Sequence, residues 1–174
     1  MDLRQASEGG APAPVRLAAD GIVLREWDEG DLPAMVELFD DPEVARFTPL
    51  PSPFTLGDAR ERLARARQDD RLLLAVTTDG ERPRGEVLLT ATGELGYAIG
   101  ADHRGRGLAA RALALLRDHA HEALGMAVLR LRIEPGNAAS AATARRAGFR
   151  PSDAPEEPIE NKGRSTTIRT WEHM

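Results

Sequence analysis

A chain of 174 residues, 41% hydrophobic and 29% charged, is long enough for one well-buried domain and too short for two comfortable ones. Its formal net charge of −5 argues against a generally basic nucleic-acid binder, and the lack of cysteine removes disulfides, thiol nucleophiles and cysteine metal sites. No apolar run approaches membrane-spanning length and the N-terminus lacks the basic-then-apolar layout of a signal peptide, so a cytoplasmic protein without a membrane partner is expected.

Residues 1–14, rich in Gly, Ala and Pro, read as a loose tail ahead of a domain over 15–174. Gly21 to Trp27 has the β-branched and apolar residues of a first strand. Asp31 is placed to cap a helix with Pro33 in its first turn and Leu32, Met35, Val36 and Phe39 on one face. A short helical piece follows Pro42, and Thr55-Leu-Gly-Asp58 resembles a capping box that opens a helix through about Asp69. Leu72 to Thr77, Gly85 to Thr90 and Glu94 to Gly100 read as three strands, turned at Asp79-Gly80 and Thr92-Gly93. The longest helix begins in ADHRGRGLAARAL and buries Leu108, Ala112, Leu115, Leu116, Ala120 and Leu124, with Gly125 as its stop. Leu129, Leu131 and Ile133 alternate with Arg130 and Arg132 as a strand with one buried face. Asn137 to Ala147 reads as a short helix, followed by a strand at Phe149, a long polar loop and a last strand over STTIRTW. The order implies an α+β domain with one mixed sheet of about seven strands and about four helices.

The segment Arg104-Gly-Arg-Gly107 sits where a helix begins, and three readings compete for it: a solvated turn, a nucleotide cradle and a nucleic-acid patch. A helix start leaves up to four N–H groups unpaired and carries partial positive charge. Gly105 and Gly107 leave those groups approachable, and Arg104 and Arg106 add charge, which suits a pyrophosphate. The acidic background argues against nucleic acid. Gly105-Arg-Gly107-Leu-Ala-Ala110 also fits a dinucleotide fingerprint, with Glu134 as the ribose acid. Against it, Gly100 to Arg104 separate the strand from the first glycine, only one short helix follows Glu134, and the upstream turns describe an antiparallel meander.

Arg104-Gly-Arg-Gly107-Leu-Ala109 resembles the Gln/Arg-x-x-Gly-x-Gly/Ala signature of the GNAT acetyltransferases, between the fourth strand and the following helix. Asn137-Ala-Ala-Ser140 followed by Ala147-Gly-Phe149 is similar to the ending of that family's domain. Leu24-Arg-Glu-Trp27 with Asp31, and Asp41-Pro-Glu-Val44 with Arg46, resemble the Rim-type branch, which includes ribosomal-protein N-terminal acetyltransferases. The resemblance covers about residues 20–172. One departure is Arg111, where the branch usually has Glu in the second turn of the helix.

The resemblance implies the GNAT fold and transfer of acetyl from acetyl-CoA to a primary amine, a protein N-terminus or a small amine, in a ternary complex without an acyl-enzyme. It implies that the strand before the loop splays from its neighbour. Tyr97, Ala98 and Ile99 then hold the pantetheine and offer main-chain donors to the thioester oxyanion, and Arg104, Gly105, Arg106, Gly107, Leu108 and Ala109 hold the pyrophosphate. Asn137 reads on its own as a helix cap. The family adds a pantetheine contact for Asn137 and a place near the sulfur for Ser140, the candidate proton donor. An alkylammonium acceptor must lose a proton, for which Glu94 is the first candidate base and Glu86 the second. His103, His119 and His121 form no metal-ligand spacing with a carboxylate, so no metal is expected. The family also allows a homodimer. A rival reading is a non-catalytic acyl-CoA-binding sensor or partner module that keeps the cradle without turnover.

Overall fold

The computed structural model describes Leu3 and residues 14–174. Strands β1 (Arg16–Ala19) and β2 (Ile22–Glu26) form a hairpin whose two-residue loop, Asp20-Gly21, has φ of 50° and 71°. Positive φ at both loop positions matches the right-handed twist of the flanking strands. Three helices follow: α1 (Leu32–Phe39), α2 (Pro42–Phe47) and α3 (Leu56–Gln68). The meander β3 (Leu72–Thr77), β4 (Gly85–Leu89) and β5 (Glu94–Ile99) leads into α4 (Leu108–Glu122). The chain ends with β6 (Leu129–Ile133), α5 (Ala138–Arg146), β7 (Arg150–Pro151), β8 (Glu157–Asn161) and β9 (Arg164–His173).

These strands form one open sheet in the order β1-β2-β3-β4-β5-β6-β9-β7, with β8 paired to β9. Every pairing is antiparallel except β5 with β6. The described residues thus hold nine strands and five α-helices where the sequence implied about seven and about four. The two strands not foreseen are β1, which falls before the expected first strand, and β8, which lies in the stretch expected to be a long polar loop. The tail expected over 1–14 falls outside the described residues apart from Pro14 and Leu3, and Leu3 is buried in the core.

Both faces of the sheet are covered, which is why β3 is buried at all six positions and apolar at every one but Thr77. On one face α4 seats Leu108, Ala112, Leu113, Leu116 and Ala120 against Leu24, Leu72, Leu74, Val76, Val87 and Leu89. Leu115 and Leu124, expected on that stripe, lie only partly buried at its edge. On the other face α1 and α3 pack Met35, Phe39 and Leu63 over Leu73, Ala75 and Ala98. The Thr55 box forms as the sequence implies, with Asp58 N–H donating to Thr55 Oγ1 and Thr55 N–H to the Asp58 carboxylate. Asp31 departs from its expected role. It makes no side-chain cap on α1; its carboxylate accepts from Asp28 N–H and forms a bidentate pair with Arg25 at 2.6 and 2.9 Å.

A histidine pair closes the far end of α4. His121 Nδ1 lies 2.6 Å from the Met126 carbonyl and so must donate its proton there, leaving Nε2 to accept from His173 Nδ1 at 3.0 Å. Burial, then Arg117 and His121, hold the His173 imidazole below its ordinary range against the opposing pull of Asp118; burial does the same to His119. The unfolded chain therefore binds more protons than the folded one below about pH 6.5. The stability tied to these neutral rings is complete above that pH and is lost as pH falls through the depressed folded values. Thermal melts from pH 8 to pH 5 should show a flat Tm down to near neutrality and a decline below it, and His173→Gln should flatten the decline.

Candidate active site

The ladder between β5 and β6 has only two rungs, Glu94↔Arg130 and Leu95↔Leu131. Past Leu95 the strands part, so the main chain of Gly96 to Ile99 that faces β6 has no strand partner there. Strand β5 then runs through a 3-10 turn, Ala101–His103, into the glycine loop and α4.

Gly107 is the N-cap of α4 at φ 71°, and no side chain caps the helix. Gly105 has φ 74°, and a Cβ built on either glycine would meet no atom within 4 Å. The space over this uncapped helix start is therefore open because these two residues have no side chain. Arg104 does not add its charge to that space as expected. Its guanidinium donates to the Ile99 carbonyl at 3.0 Å, to Asp41 at 2.8 Å and to Glu43 at 3.2 Å. Asp41 in turn caps α2 by accepting from the N–H groups of Glu43 and Val44. Burial works to raise the Asp41 carboxyl, and the Arg104 bond with the two amide bonds outweighs it, holding the group below the usual carboxylate range. Arg111, the departure from the Rim-type pattern, braces the loop by donating to Asp20 O at 2.8 Å and Arg106 O at 3.3 Å.

A cleft of about 290 Å³ runs from this loop along β5. It takes in every residue expected at the cofactor except Arg106, whose side chain does not line it. Val44, from the Asp41-Pro-Glu-Val44 motif, lines it as well, as do Phe47, Thr48 and Thr143, which no motif in the sequence marked. A second cavity of about 640 Å³ opens on the other side of the split and contains Glu86, Glu94 and Glu134. The two share Phe47, Thr48, Tyr97, Ala98, Asn137 and Ser140. Asn137 Oδ1 accepts from Ser140 N–H at 3.0 Å, as its capping role implies, and Tyr97 donates its phenol proton to Ser140 Oγ at 2.9 Å.

Glu86 and Glu94 are both on the second cavity and differ in setting. Glu86 is 2% exposed and stands opposite Ala98 in the β4–β5 register. Its Oε1 accepts from Arg62, while Oε2 is buried with no hydrogen-bond partner among the described residues. Glu94 is exposed at the start of β5, four residues from Ala98 and so about 13 Å away along the strand. The arginines of the cavity face carboxylates: Arg62 with Glu86, Arg71 with Asp69, Arg132 with Glu157. Glu94 forms no ion pair among the described residues. Glu134, the ribose acid of the dinucleotide reading, is held by both nitrogens of Arg164 at 2.8 Å. Among the described residues no group of three or more His, Asp or Glu is placed to hold a metal ion, and no helix is long and apolar enough to cross a membrane.

Two cavities meeting end to end where a sheet has come apart suit a transferase that holds one substrate in each. The model of the acetyltransferase (GNAT) domain matches residues 22–150, and the chain belongs to that family. A curated relative, the uncharacterized N-acetyltransferase p20 of Bacillus licheniformis, is 22% identical over 142 residues, 71% of this chain and 76% of its own. Among solved structures, the ribosomal-protein-S5-alanine acetyltransferase of Vibrio fischeri superposes with a TM-score of 0.78 at 18% identity, covering 92% of this chain and 96% of its own. The spermidine N-acetyltransferase of Vibrio cholerae, solved with CoA and spermine, superposes with a TM-score of 0.75 at 17% identity over 88% and 95% of the two chains. The protein is an acetyl-CoA-dependent N-acetyltransferase with the GNAT fold. The residues present fit that cosubstrate: an uncapped helix start under two bare glycines at one end, and the unpaired edge of β5 with apolar walls leading away from it.

Proposed function

We propose that the enzyme moves acetyl directly from acetyl-CoA to a cationic primary amine in a ternary complex, with Glu86 as general base and Ser140 as proton donor. The observation that carries this reading is the junction of the two cavities at Tyr97, Ala98, Asn137 and Ser140. Acetyl-CoA supplies an activated acetyl thioester when bound. The amides of α4 and the loop hold its diphosphate, leaving the split edge of β5 for the amide-bearing arm. Glu86 replaces Glu94 as the preferred base because its free oxygen lies level with Ala98, whereas Glu94 is further down the groove. From Oε2 the base takes the ammonium proton, directly or through one water, and exposes the lone pair for attack. Main-chain donors of Tyr97 to Ile99 stabilise the charge that develops on the acyl oxygen. Ser140 gives its hydroxyl proton to the departing thiolate.

The acceptor is proposed to be cationic beyond its reacting amine, since the cavity's arginines are paired and Glu94 has no ion pair among the described residues. A polyamine, as in the Vibrio cholerae neighbour, and a basic peptide N-terminus, akin to the ribosomal-protein substrates of the Rim-type branch, both fit that charge. The setting proposed is the cytoplasm, in keeping with a cysteine-free chain. Free-thiol release from acetyl-CoA with a panel of amines tests the class. Polyamines and basic peptides should turn over best, with kcat/KM falling several-fold from 50 to 500 mM salt. Equal turnover of acidic and basic peptides, unaffected by salt, would refute the cationic acceptor.

A further inference from the structure

The phenol of Tyr97 has no part in the mechanism above, yet it is half-buried where the two cavities meet. We propose that Tyr97 is a positioning residue for Ser140: by donating to Oγ it turns the serine's own proton toward the departing thiolate. The inference rests on the assignment of Ser140 as proton donor.

Tyr97 lies two residues past the last rung between β5 and β6, where the strands have separated enough for its side chain to reach α5. Its ring packs against the main core, which fixes its direction. Ser140 is fixed from its other side, since its N–H is held by the Asn137 cap. What remains free is rotation about the serine Cβ–Oγ bond. A serine hydroxyl has one proton and two lone pairs. Were Ser140 to donate to Tyr97, none would be left for the thiolate. The geometry of the contact runs the other way, from the phenol to Ser140 Oγ. Burial pushes the Tyr97 phenol up, against the pull of bonds from Ser140 and Thr143, so at neutral pH it is a donor and a poor acid. Thr143, three residues along α5 from Ser140, lines the same cleft as the phenol.

The proton count closes without a contribution from Tyr97. As the new N–C bond forms and the C–S bond breaks, the thiolate's electron pair takes the Ser140 proton. The attacking nitrogen's second proton, shed as the adduct collapses to the amide, restores the Ser140 hydroxyl through water in the groove, and Glu86 releases the first to solvent as the net proton of the reaction. Tyr97 keeps its proton and sets only the direction of transfer.

A double-mutant cycle separates this role from packing. Ser140→Ala should lower kcat about 100-fold. Tyr97→Phe, which keeps the packed ring, should lower kcat about tenfold with the KM for acetyl-CoA and the CoA-induced rise in Tm unchanged. In the Ser140→Ala background Tyr97→Phe should add less than twofold. If Ser140→Ala is fully active, the proton-donor assignment itself fails. If Ser140→Ala is impaired while Tyr97→Phe matches the native enzyme, or if the two losses multiply, Tyr97 does not act through Ser140 and the proposal is overturned.

Discussion

Gly107→Glu is expected to abolish the rise in Tm that acetyl-CoA produces. At 100 times its Kd a ligand stabilises the folded state by about 2.7 kcal/mol, which for a domain of this size is about 5–10 °C. The residue has φ 71°, and no atom lies within 4 Å of where its Cβ would stand. A side chain there has nowhere to go but the space over the α4 amides, and a carboxylate in it repels a diphosphate. Gly163 makes the control. It has φ 75° and equally open surroundings, but it sits in the β8–β9 turn, so Gly163→Glu imposes similar backbone strain away from the cleft. Both variants should melt below the native protein, and only Gly163→Glu should keep the ligand shift. Retention of the full shift by Gly107→Glu would show that the diphosphate lies elsewhere.

Glu86→Gln should lower kcat by about 100- to 1,000-fold while leaving the KM for acetyl-CoA within twofold. The substitution is nearly isosteric and its amide oxygen can still accept from Arg62, so the fold is kept. Glu94→Gln, by contrast, should raise the KM for a cationic acceptor a few-fold with kcat unchanged. A large kcat loss in Glu94→Gln with an active Glu86→Gln would exchange the two roles. Steady-state kinetics of the two variants with one polyamine decides between them.

Much of this site could be read from the chain because its parts are local. The glycine loop, the helix it opens and the Asn137 cap are each specified by residues within a few positions of one another, and each lies where the spacing put it. The strands β3, β4 and β5 were legible for the same reason, as apolar runs bounded by turns. The missed hairpins show the limit. Asp20-Gly21 is a strong two-residue turn signal, but β1 beyond it is mostly exposed and has no apolar alternation to read. Strand β8 is polar because none of its five residues is buried and only Ile159 and Asn161 are partly covered, and its turn, Lys162-Gly163, is marked only by one glycine. The choice between Glu86 and Glu94 was out of reach altogether. It depends on the β4–β5 register and on Arg62 arriving from α3, 24 residues away in the chain. The diversion of Arg104 to Asp41 and Glu43, more than 60 residues distant, is of the same kind.

The tip of the β8–β9 hairpin has a mechanical consequence. Lys162 donates to the carbonyls of Ala45 and Leu50, while Asn161 and Arg164 both donate to that of Arg46. These bonds tie the half of the sheet beyond β6 to the end of α2, across the mouth of the wedge whose apex is the short β5–β6 ladder. With apex and mouth both fastened, the aperture has a set width before either substrate arrives. Little ordering is then left for the encounter itself, and an acceptor is admitted or refused by girth as well as by charge.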